Sequence, residues 1–298
     1  MQTSECLERF QRLPYRTRGS ASFLSCWRWY RRWVDGRIFL SQAVDIAASG
    51  LAFATLFPLS LETLGDVTCL PSFYRAALGP LCRREGYCFE LVEKWNGVYS
   101  PPYFRGRIRE QLGLGRPVLC LMAAPAPGWT IVVGYRAQQD GLVVLTGAGR
   151  PAQIDDWYPK TRALVLVAEE SSRGAGEGLV SLMRRALGQR NQAVYTGYAV
   201  GDKAYEEWRQ RASALDTWSK QACQSMRDRL LESRKGANEL IGLLLAQYPV
   251  AKAALRPALR ELQRLIGELE TLDGQSPQAV DRIASIDRNL LRLLEPLQ

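Results

Sequence analysis

The fold of this chain is decided by residues 124–149, which read APAPGWTIVVGYRAQQDGLVVLTGAG. This stretch contains two runs rich in β-branched and aliphatic residues, WTIVVGY (129–135) and LVVLT (142–146). The polar segment between them ends in Asp140-Gly141, a pair that favours the tight turns joining antiparallel strands. The two runs are therefore predicted to form a β-hairpin.

Further strand-like runs lie on both sides of the hairpin. RPVLCLMA (116–123) precedes it and ALVLVA (163–168) follows it, and both are short and apolar. Runs of this length and composition are typical of buried strands, so all four are predicted to share one sheet. Upstream, CFELVEKW (88–95) is predicted to be a short strand and YFRGRIREQLGL (103–114) a helix.

The overall composition is that of a globular protein, and the length of the chain predicts about two domains. The chain has 298 residues, of which 47% are hydrophobic and 23% are charged. No apolar run reaches the roughly 20 residues that cross a bilayer, and the N-terminus lacks the apolar core of a secretory signal. We therefore expect no membrane span and a cytoplasmic location.

Cysteine and histidine usage limits the chemistry that the chain can perform. The seven cysteines are odd in number and irregularly spaced, which does not indicate a disulfide framework. The chain contains no histidine, so Ser–His and Cys–His dyads are excluded and ordinary zinc sites lack a ligand. No metal and no other cofactor is predicted. A cysteine activated by another base stays open, with Cys69, Cys88 and Cys120 as the candidates.

The N-terminal part carries much of the net charge of +9, with eight arginines in residues 1–40. The segment FLSCWRWYRRWVDGR (23–37) is predicted to be an amphipathic helix, with aromatic residues on one side and Arg28, Arg31 and Arg32 on the other. One interpretation is an aromatic face in the protein's own core with solvated arginines outside. The other is an anion-binding surface for nucleic acid or a membrane surface.

The character of the sequence changes after EESSRGAGEG (169–178), which resembles a flexible linker. The region 179–298 is predicted to be helical and without strands. Two apolar stripes at helical spacing occur there. Their members are Leu259, Leu262, Leu265, Ile266 and Leu269 in the first, and Ile283, Ile286, Leu290, Leu293 and Leu297 in the second. They are expected to pack on each other, with a homo-oligomeric zipper as the alternative.

The hairpin region GRPVLCLMAAPAPGWTIVVGYRAQQDGLVVLTG (115–147) resembles the second half of the papain-like cysteine peptidase fold. The similarity is to bacteriocin-leader peptidases and to relatives of the N-terminal domain of butirosin biosynthesis protein H. SGLAFATLF (49–57) corresponds to the helix that carries the nucleophilic cysteine in active relatives. GDKAYEEWRQ (201–210) resembles a helix that follows the domain in members without the histidine.

The resemblance implies an α+β fold in which a papain-like antiparallel sheet domain with packed helices precedes an all-α C-terminal region. The implied domains are a basic aromatic helical segment 1–41, the papain-like domain 42–170, a linker 171–178 and a helical region 179–298. Trp129 occupies the position of the catalytic histidine, and residues 42–57 contain no cysteine. The catalytic residues of the family are therefore not carried over.

The former catalytic cleft is expected to bind a small molecule or peptide, with Trp129 partly exposed at its mouth. The expected cleft residues are Ser49, Gly50, Phe53, Trp129, Thr130 and Tyr135. The sequence thus predicts a catalytically inactive cysteine-peptidase-like protein that acts in binding or scaffolding. Two alternatives stay open: a cysteine-dependent acyl or amide transferase with a non-histidine base, and an anion-binding protein that uses Arg28, Arg31 and Arg32.

Overall fold

The structure is a computed structural model, and it divides the chain into two compact units. The sheet unit comprises Met1–Phe39 and Cys82–Gly174, and the helical unit comprises Leu40–Leu81 and Ala175–Gln298. The segment 42–170 contributes residues to both units. The structure describes residues 22–35, 42–94, 100–122, 128–136, 140–145, 151–169, 178–190, 195–214, 216–272 and 276–297.

The described helices and strands are numbered here in chain order. The helices are α1 (Ser22–Asp35), α2 (Gln42–Ala48), α3 (Pro71–Glu85), α4 (Pro101–Gly113), α5 (Trp157–Lys160), α6 (Leu179–Gln189), α7 (Asp202–Arg211), α8 (Thr217–Gln247), α9 (Lys252–Thr271) and α10 (Pro277–Leu294). The strands are β1 (Leu56–Pro58), β2 (Tyr87–Glu93), β3 (Val118–Met122), β4 (Gly128–Arg136), β5 (Gly141–Leu145), β6 (Pro151–Ile154), β7 (Thr161–Glu169) and β8 (Tyr198–Val200).

The sheet unit is built on a six-stranded antiparallel sheet with the order β2-β7-β3-β4-β5-β6. The predicted hairpin is confirmed as β4–β5, and the four predicted apolar strands do share one sheet. The strand predicted from CFELVEKW is confirmed as β2, whereas β6 was not predicted. Together with the helices, this sheet confirms the α+β class.

Helices cover both faces of the sheet. On one face, Phe104 and Ile108 of α4 pack with Cys120, Val132 and Leu164 in a buried cluster. Neighbouring residues of a strand point to opposite sides of the sheet. One set of β4 side chains therefore faces α4, and the other set faces the opposite side, where α1 contacts the strand. The interior strands β3 and β5 are buried along their whole length. This explains why their sequences are continuously apolar rather than alternating.

The helical unit is arranged around α8, which runs for 31 residues. It contacts α2, α6, α7, α9 and β1, and α9 packs on α10. The prediction of no strand in 179–298 is wrong, because β8 pairs with β1 in a two-stranded antiparallel sheet. A strand of three residues is too short to show a strand pattern in the sequence.

The two predicted apolar stripes are largely buried within the helical unit. Their buried members are Leu262, Leu265 and Leu269 on α9, and Ile283, Ile286 and Leu290 on α10. Leu259, Ile266, Leu293 and Leu297 are only partly buried. Packing of α9 on α10 covers these stripes without a second chain, as the sequence predicted. No described helix is both long and apolar enough to span a membrane.

Gly50, one of the predicted cleft residues, offers a test of the helical unit. Its φ is +83°, and an added Cβ would lie 2.5 Å from Oε1 of Gln189. We expect Gly50→Ala to lower the free energy of unfolding by about 1–3 kcal/mol, because a left-handed backbone disfavours a side chain. Gly242→Ala on α8 is the control, since nothing lies within 4 Å of its added Cβ.

Gly242→Ala is expected to stabilise by up to about 1 kcal/mol, as alanine favours helix interiors. Urea denaturation measures both changes. Equal effects of the two substitutions would contradict the backbone described at Gly50.

Candidate functional site

The six predicted cleft residues are divided between the two units. Ser49, Gly50 and Phe53 belong to the helical unit, whereas Trp129, Thr130 and Tyr135 belong to the sheet unit.

Trp129 is buried rather than exposed at a cleft. Its side chain and backbone are only 3% accessible, and its ring centroid lies 4.9 Å from that of Phe23 in an edge-to-face contact. The Trp129 amide also donates a hydrogen bond to Oγ of Ser22 at 2.9 Å. The expectation of a partly exposed indole is therefore wrong, because α1 covers this face of the sheet.

Thr130 and Tyr135 hold the hairpin together. The Thr130 hydroxyl donates to the carbonyl of Leu145 at 2.7 Å, and the Tyr135 hydroxyl donates to Asp140 at 2.7 Å. Asp140 has a left-handed φ of 45° and also accepts two hydrogen bonds from Arg105. The hydrogen bonds from Tyr135 and then Arg105 lower the pKa of Asp140. These polar groups fix the conformation at the start of β5.

Ser49 and Phe53 likewise have internal contacts. The Ser49 hydroxyl donates to the carbonyl of Ile46 at 2.9 Å, which closes the end of α2. Phe53 is 1% exposed and belongs to the core. The Gly50 carbonyl accepts a hydrogen bond from the hydroxyl of Tyr195 at 3.4 Å. In the helical unit, these predicted cleft residues therefore perform structural roles.

The candidate nucleophilic cysteines lie in different environments. Cys120 is buried in β3, and burial raises the pKa of its thiol to about 12. Burial also raises the pKa of Cys82 to about 12. Cys69 is partly buried and Cys88 is exposed. Within the described residues, no cluster of three or more cysteine, aspartate or glutamate side chains could hold a metal ion.

The three predicted anion-binding arginines do not share one environment. Arg28 is exposed and Arg32 is half-buried. Arg31 is 1% exposed, and its guanidinium pairs with Glu85 at 2.7 Å. The expectation that all three lie on a solvated face is therefore wrong for Arg31. Its charge is neutralised inside the sheet unit.

The helical unit contains a buried polar centre that sequence reasoning missed. Arg234 on α8 and Asp287 on α10 form an ion pair at 2.7 Å, and their side chains are 0% and 1% exposed. Asp287 also accepts a hydrogen bond from the Tyr205 hydroxyl at 2.9 Å, and Arg234 donates to Oγ1 of Thr55 at 2.9 Å. Arg234 contacts Oγ of Ser233 at 2.8 Å. The sequence signal for this polar centre was Asp287, an acidic residue beside the apolar stripe of α10.

A polar cavity of about 340 Å³ lies between α9 and α10. We call it the arginine groove. Its lining residues are Glu261, Arg264, Arg282, Ser285, Ile286, Arg288, Asn289 and Arg292. Helical spacing places Glu261 and Arg264 largely off the apolar stripe of α9, but it does not connect them with the arginines of α10. The recurrence of arginine along one side of α10 was the signal for this groove.

Comparison of the sequence with protein-family models and with curated proteins finds no match.

Proposed function

We propose that this chain is a catalytically inactive, papain-like binding protein. The observation that carries this proposal is the burial of Cys120 in the central strand β3, in a chain that contains no histidine. A ligand is expected to be held by shape and charge rather than by covalent chemistry.

The environment of Cys120 is that of a structural thiol. Its Sγ lies 3.3 Å from Sδ of Met122 and 3.8 Å from the hydroxyl of Thr161. A thiol with a pKa of about 12 is ionised in only about one molecule in 10⁵ at pH 7. Because the thiolate is the nucleophile, such a residue contributes little to catalysis.

The alternative from another class is a cysteine-dependent transferase with a non-histidine base. Cys88 is the exposed candidate, and its Sγ lies 3.5 Å from the carbonyl of Ala168. A carbonyl oxygen accepts a hydrogen bond but does not abstract the thiol proton at neutral pH. An activated Cys88 would react with electrophiles far faster than an ordinary thiol.

Alkylation by iodoacetamide at pH 7, followed by peptide mass spectrometry, tests this proposal. We expect Cys88 to react at the rate of free cysteine, and Cys120 and Cys82 to react only after unfolding. Burial raises the pKa of both thiols and also keeps the reagent away from their sulfur atoms. The variant Cys88→Ser serves as the control for the exposed site. A thiol that reacts about a hundredfold faster than free cysteine at pH 7 would contradict an inactive protein.

A further inference from the structure

We propose that the arginine groove binds the phosphate group of a small phosphorylated molecule. This inference rests on the proposed binding function and specifies the site and the chemical class of its ligand. The groove lies entirely within the helical unit.

The groove is formed by two helices that are held together by their apolar stripes. Helix α9 contributes Glu261 and Arg264, while α10 contributes the remaining lining residues. Ile286 is 4% exposed and forms the apolar floor. Ser285 and Asn289 add a hydroxyl and an amide, which are neutral hydrogen-bond donors. The side walls are therefore polar and the base is fixed by the core of the unit.

The charge of the lining favours an anion. Four arginines line the groove against one glutamate. The guanidinium group offers paired N–H donors whose geometry matches two oxygens of a phosphate. Several guanidinium groups around one cavity can therefore bind a phosphate from more than one side.

Three of the four groove arginines form ion pairs at the surface. Arg264 pairs with Glu261 at 3.8 Å, Arg282 with Glu268 at 3.5 Å and Arg288 with Asp202 at 2.8 Å. The three arginine side chains are 62%, 60% and 50% exposed. Exposed pairs of this kind contribute little to stability, so a phosphate group can replace the carboxylates without loss of the fold.

Arg292 is the arginine most available to a ligand. It is exposed and lines the groove, and the described part of the chain contains no ion pair to its guanidinium group. A guanidinium group without a carboxylate partner adds its full charge to the potential inside the groove.

The dimensions and the surrounding charges favour a small ligand over a nucleic acid. A volume of about 340 Å³ is within the range of small-molecule sites. Exposed carboxylates flank the arginines, among them Asp202 beside Arg288 and Asp281 next to Arg282 in the sequence. A long phosphate backbone would approach these carboxylates, whereas a single phosphorylated molecule fits between them.

Isothermal titration of the full chain with pyrophosphate at constant ionic strength tests the site. We expect saturable binding that Arg282→Gln and Arg292→Gln each weaken by at least about tenfold, because each removes charge-assisted hydrogen bonds. Arg256→Gln is the matched control, because Arg256 is exposed on α9 and does not line the groove. This substitution removes the same charge as the two groove substitutions. It is expected to change the dissociation constant by less than about twofold. Circular dichroism verifies that each variant is folded.

Two outcomes would overturn the site. Absence of saturable pyrophosphate binding, or equal weakening by Arg256→Gln, would show that the groove does not recognise phosphate. In the second outcome, a single-stranded DNA oligonucleotide binds more tightly than pyrophosphate and loses that binding in the Arg282 and Arg292 variants. This result would assign the groove to nucleic acid. These outcomes leave the proposed inactivity unaffected, because that is decided separately by the reactivity of the thiols.

Discussion

Replacing Asp287 with alanine is expected to lower the free energy of unfolding by about 3–5 kcal/mol. Asp287 accepts hydrogen bonds from two nitrogens of Arg234, at 2.8 and 2.7 Å, inside the helical unit. Removing the carboxylate leaves the guanidinium buried without its counter-charge, and it also removes the acceptor of the Tyr205 hydroxyl. Urea denaturation followed by circular dichroism measures the change.

An exposed ion pair between α10 and α7 provides the matched control for this prediction. Arg288 and Asp202 lie 2.8 Å apart, with side chains 50% and 69% exposed. Asp202→Ala is expected to cost less than about 1 kcal/mol, because water solvates the remaining arginine. The double variant Arg234→Met/Asp287→Leu should be more stable than Asp287→Ala, since it removes both buried charges. Similar losses for Asp287→Ala and Asp202→Ala would contradict a desolvated pair.

Trp129→Ala is also expected to destabilise the protein by about 3–5 kcal/mol. The indole is 3% exposed and packs between β4 and α1, so its removal leaves a cavity beneath the helix. Thermal and urea denaturation measure the loss. Trp129→Phe should cost less, because a smaller aromatic ring still fills part of the space.

A double-mutant cycle with Phe23 separates the aromatic contact from the general effect of burial. We expect a coupling energy of about 0.5–1.5 kcal/mol between Phe23→Ala and Trp129→Ala, in line with other edge-to-face pairs. A loss below about 1 kcal/mol for Trp129→Ala would instead support an indole at the mouth of an open cleft. That result would restore the arrangement expected from the family resemblance.

Strands of the main sheet could be predicted from the sequence where their apolar composition indicates that they are buried. Strands β3, β4, β5 and β7 are runs of β-branched and aliphatic residues, and such runs form buried strands whatever their partners. Strands β6 and β8 have only 4 and 3 residues, and their sequences PAQI and YAV carry no such signal. Their conformation depends on hydrogen bonding to β5 and β1.

The candidate sites were less predictable, because they depend on which element covers a given face. Helical periodicity placed Arg31 on the side of α1 opposite its aromatic residues, yet Glu85 pairs with it and both are largely enclosed. The arginine groove combines residues from two helices, and Arg234 is 53 residues from Asp287 in the chain. No local pattern specifies such pairs.

The sequence by itself determined the mixed α+β class, the hairpin, the apolar stripes of α9 and α10, and the exclusion of histidine-dependent catalysis. Only the tertiary structure decided that Trp129 and Arg31 are buried, that Arg234 meets Asp287, and that arginines from α9 and α10 line one groove. The physical reason is that periodicity and composition are local properties of the chain. Burial and charge pairing arise only when distant segments pack against each other, and their free energies depend on that packing.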